Sequence, residues 1–426
     1  MRLRPPLPAP ASLLRHRDFR LVFTANLVSG FGSQVSLVAL PLTAILAFDA
    51  SPFQVGLLAA CGTVAVLLVG LPAGPWVHRM RRRRVMIVGD LGRAAALASI
   101  PLAWWAGALT MVQLYAVALV HGVLSVFFDV AAQSYLPYVI GRDRLVEGNA
   151  RLGLVDSLAR TAGPSLGGVV ISLLTAPVAI VLDTVSYLCS AAAAAAVATR
   201  EPAPPGSAEK KKLRTEIAEG LRWLWRHPML RPAVLSSASS NFFGTVSWVM
   251  LIAMVGQVLR LPAWMIGLVY SAGGVGGLIG ALAAGRVIAR VGLGRALWLV
   301  LALTTPCQLL VPLVGRGWLF WPALVSQLGI WASIGIRNVA QLSFRQQATP
   351  DALLTRINAT ARFLVWGTLP LGGLAAGLLG EYLGVRTTLW IAAAGLSLTW
   401  LPPFLSPLRT LRALPPTPAQ EAVAVP

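Results

Sequence analysis

Eight ionisable side chains stand inside long apolar runs of this 426-residue chain: Asp90, Arg93, Asp129, Asp156, Arg160, Asp183, Arg337 and Arg362. A charge in such a run is costly in hydrocarbon, and it is kept where it pairs, lines water or moves a proton. Asp156 and Arg160 are four apart, so they share one helix face and can neutralise each other. Asp90 and Arg93 are three apart and can brace the arginine-rich loop just before them. Two partners are open to Asp129: Arg93 nearby in sequence, or Arg337 at a similar depth in a later segment. In the second case protonation of Asp129 would weaken a contact between distant parts of the chain and couple proton movement to their motion. Asp183 is a second candidate proton carrier, with a plain hydrogen bond to Ser186 as the structural alternative.

Other chemistries lack their residues. No nucleotide-binding loop, metal-ligand cluster or nucleophile triad is present, and the GxGxxG-like run within Ala272–Gly280 lies inside an apolar segment where it carries no phosphate-site meaning. Cys61, Cys189 and Cys307 are odd in number, far apart and set in apolar runs, which suits packing rather than redox or metal work. The sequence therefore reads as a non-enzyme with no cofactor and no metal.

Composition narrows the class. The chain is 56% hydrophobic and 12% charged, with mean hydropathy +0.72, against about 25% charged residues in soluble proteins. The formal charge is +20, from 35 basic and 15 acidic residues. Those basic residues cap apolar runs instead of forming one polar face, so they orient a membrane protein and do not bind nucleic acid. Arginine far outnumbers lysine, which suits a bacterial source.

Twelve apolar segments are expected near residues 19–47, 52–77, 85–106, 111–134, 146–174 and 177–199, then 230–259, 262–289, 295–314, 317–343, 352–380 and 384–407. Most exceed the roughly 20 residues that span a bilayer as a helix. The predicted organisation is a tail at 1–18, a six-helix bundle at 19–199, a linker at 200–229, a second bundle at 230–407 and a tail at 408–426. The linker opens in Pro and Gly, and Leu213–Arg226 can form a short amphipathic helix on the membrane surface. The first apolar run, about 28 residues, outlasts a signal-peptide core of about 7–15 and stays as a helix. One set of connections holds Arg79, Arg81 to Arg84, Arg142, Arg144, Arg290, Arg295 and Arg345; the other holds Arg260, Arg316 and Arg386. That bias predicts a multi-pass protein of the cell inner membrane with both termini cytoplasmic.

The bundles are copies. Gly56–Arg84 matches Gly267–Arg295 without gaps at ten of 29 positions, among them Gly74/Gly285, Arg79/Arg290 and Arg84/Arg295. At a slightly different offset Asn149/Asn358, Gly163/Gly372 and Gly168/Gly377 also coincide. A repeat half the chain long predicts a pseudo-symmetric, all-α membrane fold. Polar residues at helical spacing suggest a cavity lining: Asn26, Ser29, Ser33 and Gln34 in the first segment, with Ser237, Ser240, Asn241, Thr245 and Trp248 in the seventh. A polar, uncharged lining with Phe31, Phe242 and Phe243 nearby suits a moderately hydrophobic organic solute. The alternative is that small hydroxyl residues let helices pack closely.

These residues resemble the major facilitator superfamily. Gly74, Arg79, Arg82 and Arg83 fit its Gly-x-x-x-Asp-Arg-x-Gly-Arg-Arg signature between helices 2 and 3, and Gly285, Arg290 and Arg295 form a weaker second copy. Gly163, Pro164, Gly167 and Gly168 resemble its antiporter motif. HRDFRLVF, Asp90-x-x-Arg93, RDRLVEGNA and GLRWLWRHPMLR are similar to the branch containing macrolide-efflux proteins and the enterobactin exporter. The resemblance implies a twelve-helix secondary transporter working as a monomer, with protons and a small organic substrate as partners. Proton-coupled efflux of a drug-like or siderophore-like compound is expected, against a proton-coupled importer or a non-transporting accessory or sensor protein. Two departures stand out. His78 occupies the signature's aspartate position and Arg81 its second glycine, so the fixed negative charge of the family motif is missing. Ser33 stands where relatives often carry an acid in helix 1.

Overall fold

The computed structural model describes residues 13–199, 201, 221–348 and 351–411. Predictions for the remainder, including most of the amphipathic linker helix and the outer parts of both tails, lie outside the described residues. Six unbroken helices form the first lobe: α1 (Arg17–Phe48), α2 (Pro52–His78), α3 (Arg82–Trp105), α4 (Met111–Ile140), α5 (Leu145–Leu173) and α6 (Ala176–Ala196). Prolines sit inside all but the last of them, at Pro41, Pro72, Pro75, Pro101, Pro137 and Pro164, without interrupting the helix.

The second lobe repeats the order with more interruptions. Helix α7 (Leu230–Ala253) ends in a π-turn at Met254–Val258. Helix α8 (Ala263–Val291) is continuous, while α9 breaks at Thr304 between Leu293–Leu303 and Thr305–Leu310. Helix α10 runs Trp321–Ala348; α11 breaks at Gly367 between Asp351–Trp366 and Thr368–Leu383; α12 joins Val385–Ser397 to the short Leu401–Phe404. Ten of these segments are long and apolar enough to cross a membrane. The other two are α5, which carries Glu147, Arg151, Asp156 and Arg160, and α12, which the turn at residues 398–400 divides into 13 and 4 residues. Large side chains such as Leu173, Leu282, Trp318 and Leu405 are exposed on the outer surface, as expected for a protein whose solvent on that face is lipid. The chain is a multi-pass membrane protein.

Two ends of this bundle differ. The basic end carries the α2–α3 loop with Arg79 to Arg84 and its copy near Arg290; the turn end carries the α1–α2 and α7–α8 connections. The lobes meet along two seams, α2 against α11 and α5 against α8. Glycines set both. A Cβ on Gly56 would lie 2.5 Å from the Gly377 Cα, and one on Gly267 would lie 2.5 Å from the Pro164 carbonyl oxygen. Gly168 and Gly274 meet Ala263 and Thr161 in the same way, at 2.8 and 2.5 Å. Such contacts exclude any side chain and let backbones touch. Gly56/Gly267 and Gly168/Gly377 are among the coincident pairs of the repeat, so the seams are copies of one another.

Among the described residues, hydrogen bonds between side chains or backbone of the two lobes are found in the turn-end half. Glu381 Oε2 accepts from the Phe53 N–H at 3.2 Å, the Gln257 side-chain amide donates to the Ala50 carbonyl, and the Ser165 and Ser271 hydroxyls are 2.7 Å apart. The turn end is therefore sealed. Toward the basic end, His78 and Arg79 at the end of α2 and Arg286 and Arg290 of α8 are exposed.

Candidate functional site

Arg93, Asp129, Asp156, Arg337 and Arg362 share a level. Each is eleven residues from the basic-end terminus of its helix, counted from Arg82, Ile140, Leu145, Ala348 and Asp351 respectively. At about 1.5 Å per residue this is about 16 Å into the bundle, the middle of a roughly 30 Å hydrocarbon core. The sequence placed Asp129 nearer the surface because α4 was expected to end by residue 134. The helix continues to Ile140 through Pro137, which moves Asp129 to mid-depth.

The layer divides by exposure. Asp129, Asp156, Arg160 and Arg362 are exposed. The charges that act on Asp129 come from Arg93, Arg362, Asp156 and Arg160, hence from α3, α5 and α11 of both lobes. Exposed charges at mid-depth, surrounded by charges of both lobes, line a water-accessible cleft between the lobes. Asp156 and Arg160 form the expected pair across one turn at 2.9 Å, with both side chains open to that cleft. Arg362 lies over the Trp366 ring at 4.6 Å. Among the described residues Asp129 makes no ion pair.

Arg93 does not hold Asp129. Its guanidinium donates to Asp90 Oδ1, with both side chains buried. The planar cation is also sandwiched between the rings of Phe128 and Tyr187, at 4.1 and 4.2 Å, a geometry that favours arginine. Tyr187 then extends the network: its hydroxyl lies 2.9 Å from Ser33 Oγ and 3.0 Å from His121 Nε2. Below it, Ser186 donates to Asp183 Oδ1 at 3.0 Å, while Asp183 Oδ2 is buried without a partner. Gly32 of α1 makes room for this, since a Cβ there would stand 2.7 Å from Asp183 Oδ1. Four helices are thus joined by one buried polar network. His121 and Tyr187 were not anticipated; a histidine inside an apolar run was the available signal.

Tyr187→Phe keeps the ring over Arg93 and removes both hydroxyl contacts. A loss of about 1–3 kcal/mol is expected from the unsatisfied histidine and serine, read as a lower thermal midpoint of the purified protein. An unchanged midpoint would show that the hydroxyl adds nothing to the lobe.

Arg337 stands apart. It is 4% exposed, and its Nε and Nη1 have no hydrogen-bond partner among the described residues. Asp129 and Arg337 are not paired in this arrangement. A buried guanidinium without an anion costs several kcal/mol relative to a paired one.

Several proposed cavity residues point elsewhere. Ser33 bonds to Tyr187. Ser237 is 4% exposed, donating to the Ala233 carbonyl and accepting from Gln341. Asn241 donates to the Val365 carbonyl at 3.0 Å, tying α7 to α11. Ser29 donates to the Ala25 carbonyl at 2.8 Å, Gln34 packs on Gly163, and Trp248 meets Tyr270 edge-on at 4.0 Å. The close-packing reading fits most of this set; Asn26 is exposed.

Motif residues divide similarly. Gly74 and Gly285 face open space. His78 Nδ1 is 3.3 Å from Arg82 Nη2, and Arg82 forms a buried 2.6 Å ion pair with Glu201. Arg83 Nε donates to the Ala194 carbonyl at 2.9 Å. Arg79, Arg290 and Arg295 make no ion pair among the described residues. In the antiporter-like run, Gly163 and Gly167 pack on α1 while Pro164 and Gly168 touch α8, so this stretch is a seam.

Known proteins share this architecture. The chain is 28% identical over 380 residues to the multidrug efflux pump Tap of Mycolicibacterium fortuitum, covering 86% of this chain and 90% of that protein. It is 26% identical over 423 residues to the enterobactin exporter EntS of Citrobacter koseri, covering 96% of each. Its shape matches a bacterial homologue of the iron transporter ferroportin at 16% identity, covering 92% of this chain and 99% of that one, with TM-score 0.75 for the inward-facing state. The outward-facing state of that homologue gives 0.61, covering 91% and 98%. Residues 22–369 match the sequence model of the Major Facilitator Superfamily. With two six-helix lobes, seams of paired glycines and an arginine-capped repeat, the chain belongs to the Major Facilitator Superfamily.

Proposed function

We propose that this chain exports a moderately hydrophobic organic compound from the cytoplasm in exchange for protons, by alternating access. The observation that carries the mechanism is the charged layer at mid-depth, reached from the basic end and sealed from the turn end. The exporters Tap and EntS, similar along most of their length, support the direction. The arginine bias makes the basic end cytoplasmic, with both termini on that side of the cell inner membrane. The arrangement is then inward-open, and one chain suffices because it supplies both walls of the cleft.

In this reading Asp129 is the coupling carboxylate. Asp90 and Asp156 each have an arginine one turn away; Asp129 has none, so its charge depends on proton occupancy and on the other lobe. When the basic end closes, α4 and α10 approach and Asp129 gains Arg337 as partner. Protonation removes that attraction and favours reopening, while the substrate leaves on the other side. Asp183 stays a structural carboxylate held by Ser186.

Inverted vesicles test the proposal. A transported compound is expected to collapse an acid-inside pH gradient, from a panel of drugs and catecholate siderophores. If the whole panel leaves the gradient untouched while the purified protein binds members of it, proton antiport is the wrong reading.

A further inference from the structure

The arginine-rich α2–α3 loop lacks the aspartate of its family signature, yet two of its arginines, Arg82 and Arg83, are held. Helix α3 begins at Arg82 and has no side-chain cap of its own, because Arg81 occupies the cap position. A helix start with unsatisfied N–H groups and a positive dipole end attracts an anion. Here the anion comes from 119 residues away. Glu201 Oε1 accepts from the Arg82 backbone N–H at 3.0 Å and from its Nη1 at 2.6 Å, and Oε2 accepts from the Arg83 N–H at 3.3 Å. The pair is shielded, with side-chain exposures of 7% and 5%, and the Tyr138 ring lies 5.1 Å from the Arg82 guanidinium.

Glu201 also stands at the start of the linker that leads to the second lobe. Between α6 and it, the chain is fastened at Ala198 and Thr199. Asp18 of α1 accepts from the Ala198 N–H at 3.2 Å, the Thr199 N–H at 2.8 Å and the Thr199 hydroxyl at 2.5 Å. The Tyr135 hydroxyl of α4 donates to the Thr199 carbonyl at 3.2 Å.

From this geometry we infer that Glu201 is the anchor that makes the α2–α3 arginine loop and the start of the interlobe linker one mechanical unit. Through it the connection between lobes begins at a point fixed to α3, and the loop is held by a carboxylate of the linker. The inference concerns how the lobes are joined and does not depend on what is transported. His78 supplies the control. Its Nδ1 lies beside the Arg82 guanidinium at 3.3 Å, so a carboxylate at 78 could hold Arg82 but not the linker.

Hydrogen exchange of the full-length protein, read by mass spectrometry, tests this. In Glu201→Ala, amides of 82–86 and of 198–201 are expected to exchange at least about tenfold faster, while 111–125 of α4 stays unchanged. Adding His78→Asp to that variant is expected to restore protection at 82–86 and leave 198–201 fast. Glu201→Gln, which keeps the shape without the charge, gives the same readout if the alanine protein fails to accumulate. Unchanged exchange at both segments, faster exchange throughout the lobe, or joint recovery of both segments with His78→Asp would each overturn the inference.

Discussion

Replacing Asp129 by asparagine is expected to uncouple export from the proton gradient, lowering proton-driven transport by about a hundredfold while substrate-for-substrate exchange persists. Coupling free energies of about 1–3 kcal/mol correspond to about 5–150-fold, and removing the titrating group removes the whole term. The expectation rests on a contrast within one layer. Asp90 has Arg93 and Asp156 has Arg160, whereas Asp129 is exposed to the cleft with no ion pair among the described residues. Asparagine preserves size and hydrogen bonding, so abundance should not change. Reconstituted vesicles with an imposed pH gradient, compared with vesicles loaded with substrate alone, separate the two activities. The closure pair has its own test. Asp129→Arg and Arg337→Asp should each impair transport, and the double exchange should recover part of it; no recovery over either single variant would remove Arg337 from the cycle.

The second large effect is expected at the seam. Gly56→Val inserts a side chain where even a Cβ would lie 2.5 Å from the Gly377 Cα and 2.6 Å from the Gly373 carbonyl oxygen. These are backbone atoms and cannot step aside as a flexible side chain would. Overpacking of this kind costs about 1–3 kcal/mol, and it falls only on the arrangement with the turn end closed. The population should move about 5–150-fold toward the state open at the turn end. Spin labels across the turn end should separate and those across the basic end should approach. Gly62→Ala is the control, because a Cβ there meets nothing within 4 Å. A Gly56→Val protein with wild-type distances would mean that the seam is not a conformational determinant.

Much of the architecture was legible before any coordinates. Hydrocarbon thickness imposes a length on each helix, and the repeat imposes a lobe count, so segment placement and the two-lobed fold followed from apolar runs and coincident glycines. The Asp156–Arg160 pair followed from helical spacing alone, whereas Asp90 and Arg93, expected to brace the arginine-rich loop, pair with each other beside Phe128 and Tyr187 instead. What spacing does not carry is the direction in which a side chain faces relative to distant helices. Ser33, Ser237 and Asn241 have the periodicity of a cavity lining, yet their polar atoms are taken by Tyr187, Gln341 and Val365. Glu201 was invisible for the same reason, since its partners are 119 residues away and nothing local marks it as a cap. The depth of Asp129 was misjudged because the fourth apolar segment was ended at residue 134, whereas the helix continues through Pro137 to Ile140.

The interruptions of the second lobe have a consequence for how the transporter can diversify. Six unbroken rods on one side and four segmented ones on the other, with breaks at Thr304, Gly367 and residues 398–400 and a π-turn after Ala253, give the two copies different stiffness. The first, which carries Asp129, Asp156 and Arg93, is built of continuous helices, and the second is jointed within its own body. Natural variants that accept new cargo should therefore collect around the joints of α7, α9, α11 and α12, where accommodating an unfamiliar shape disturbs the proton circuit least.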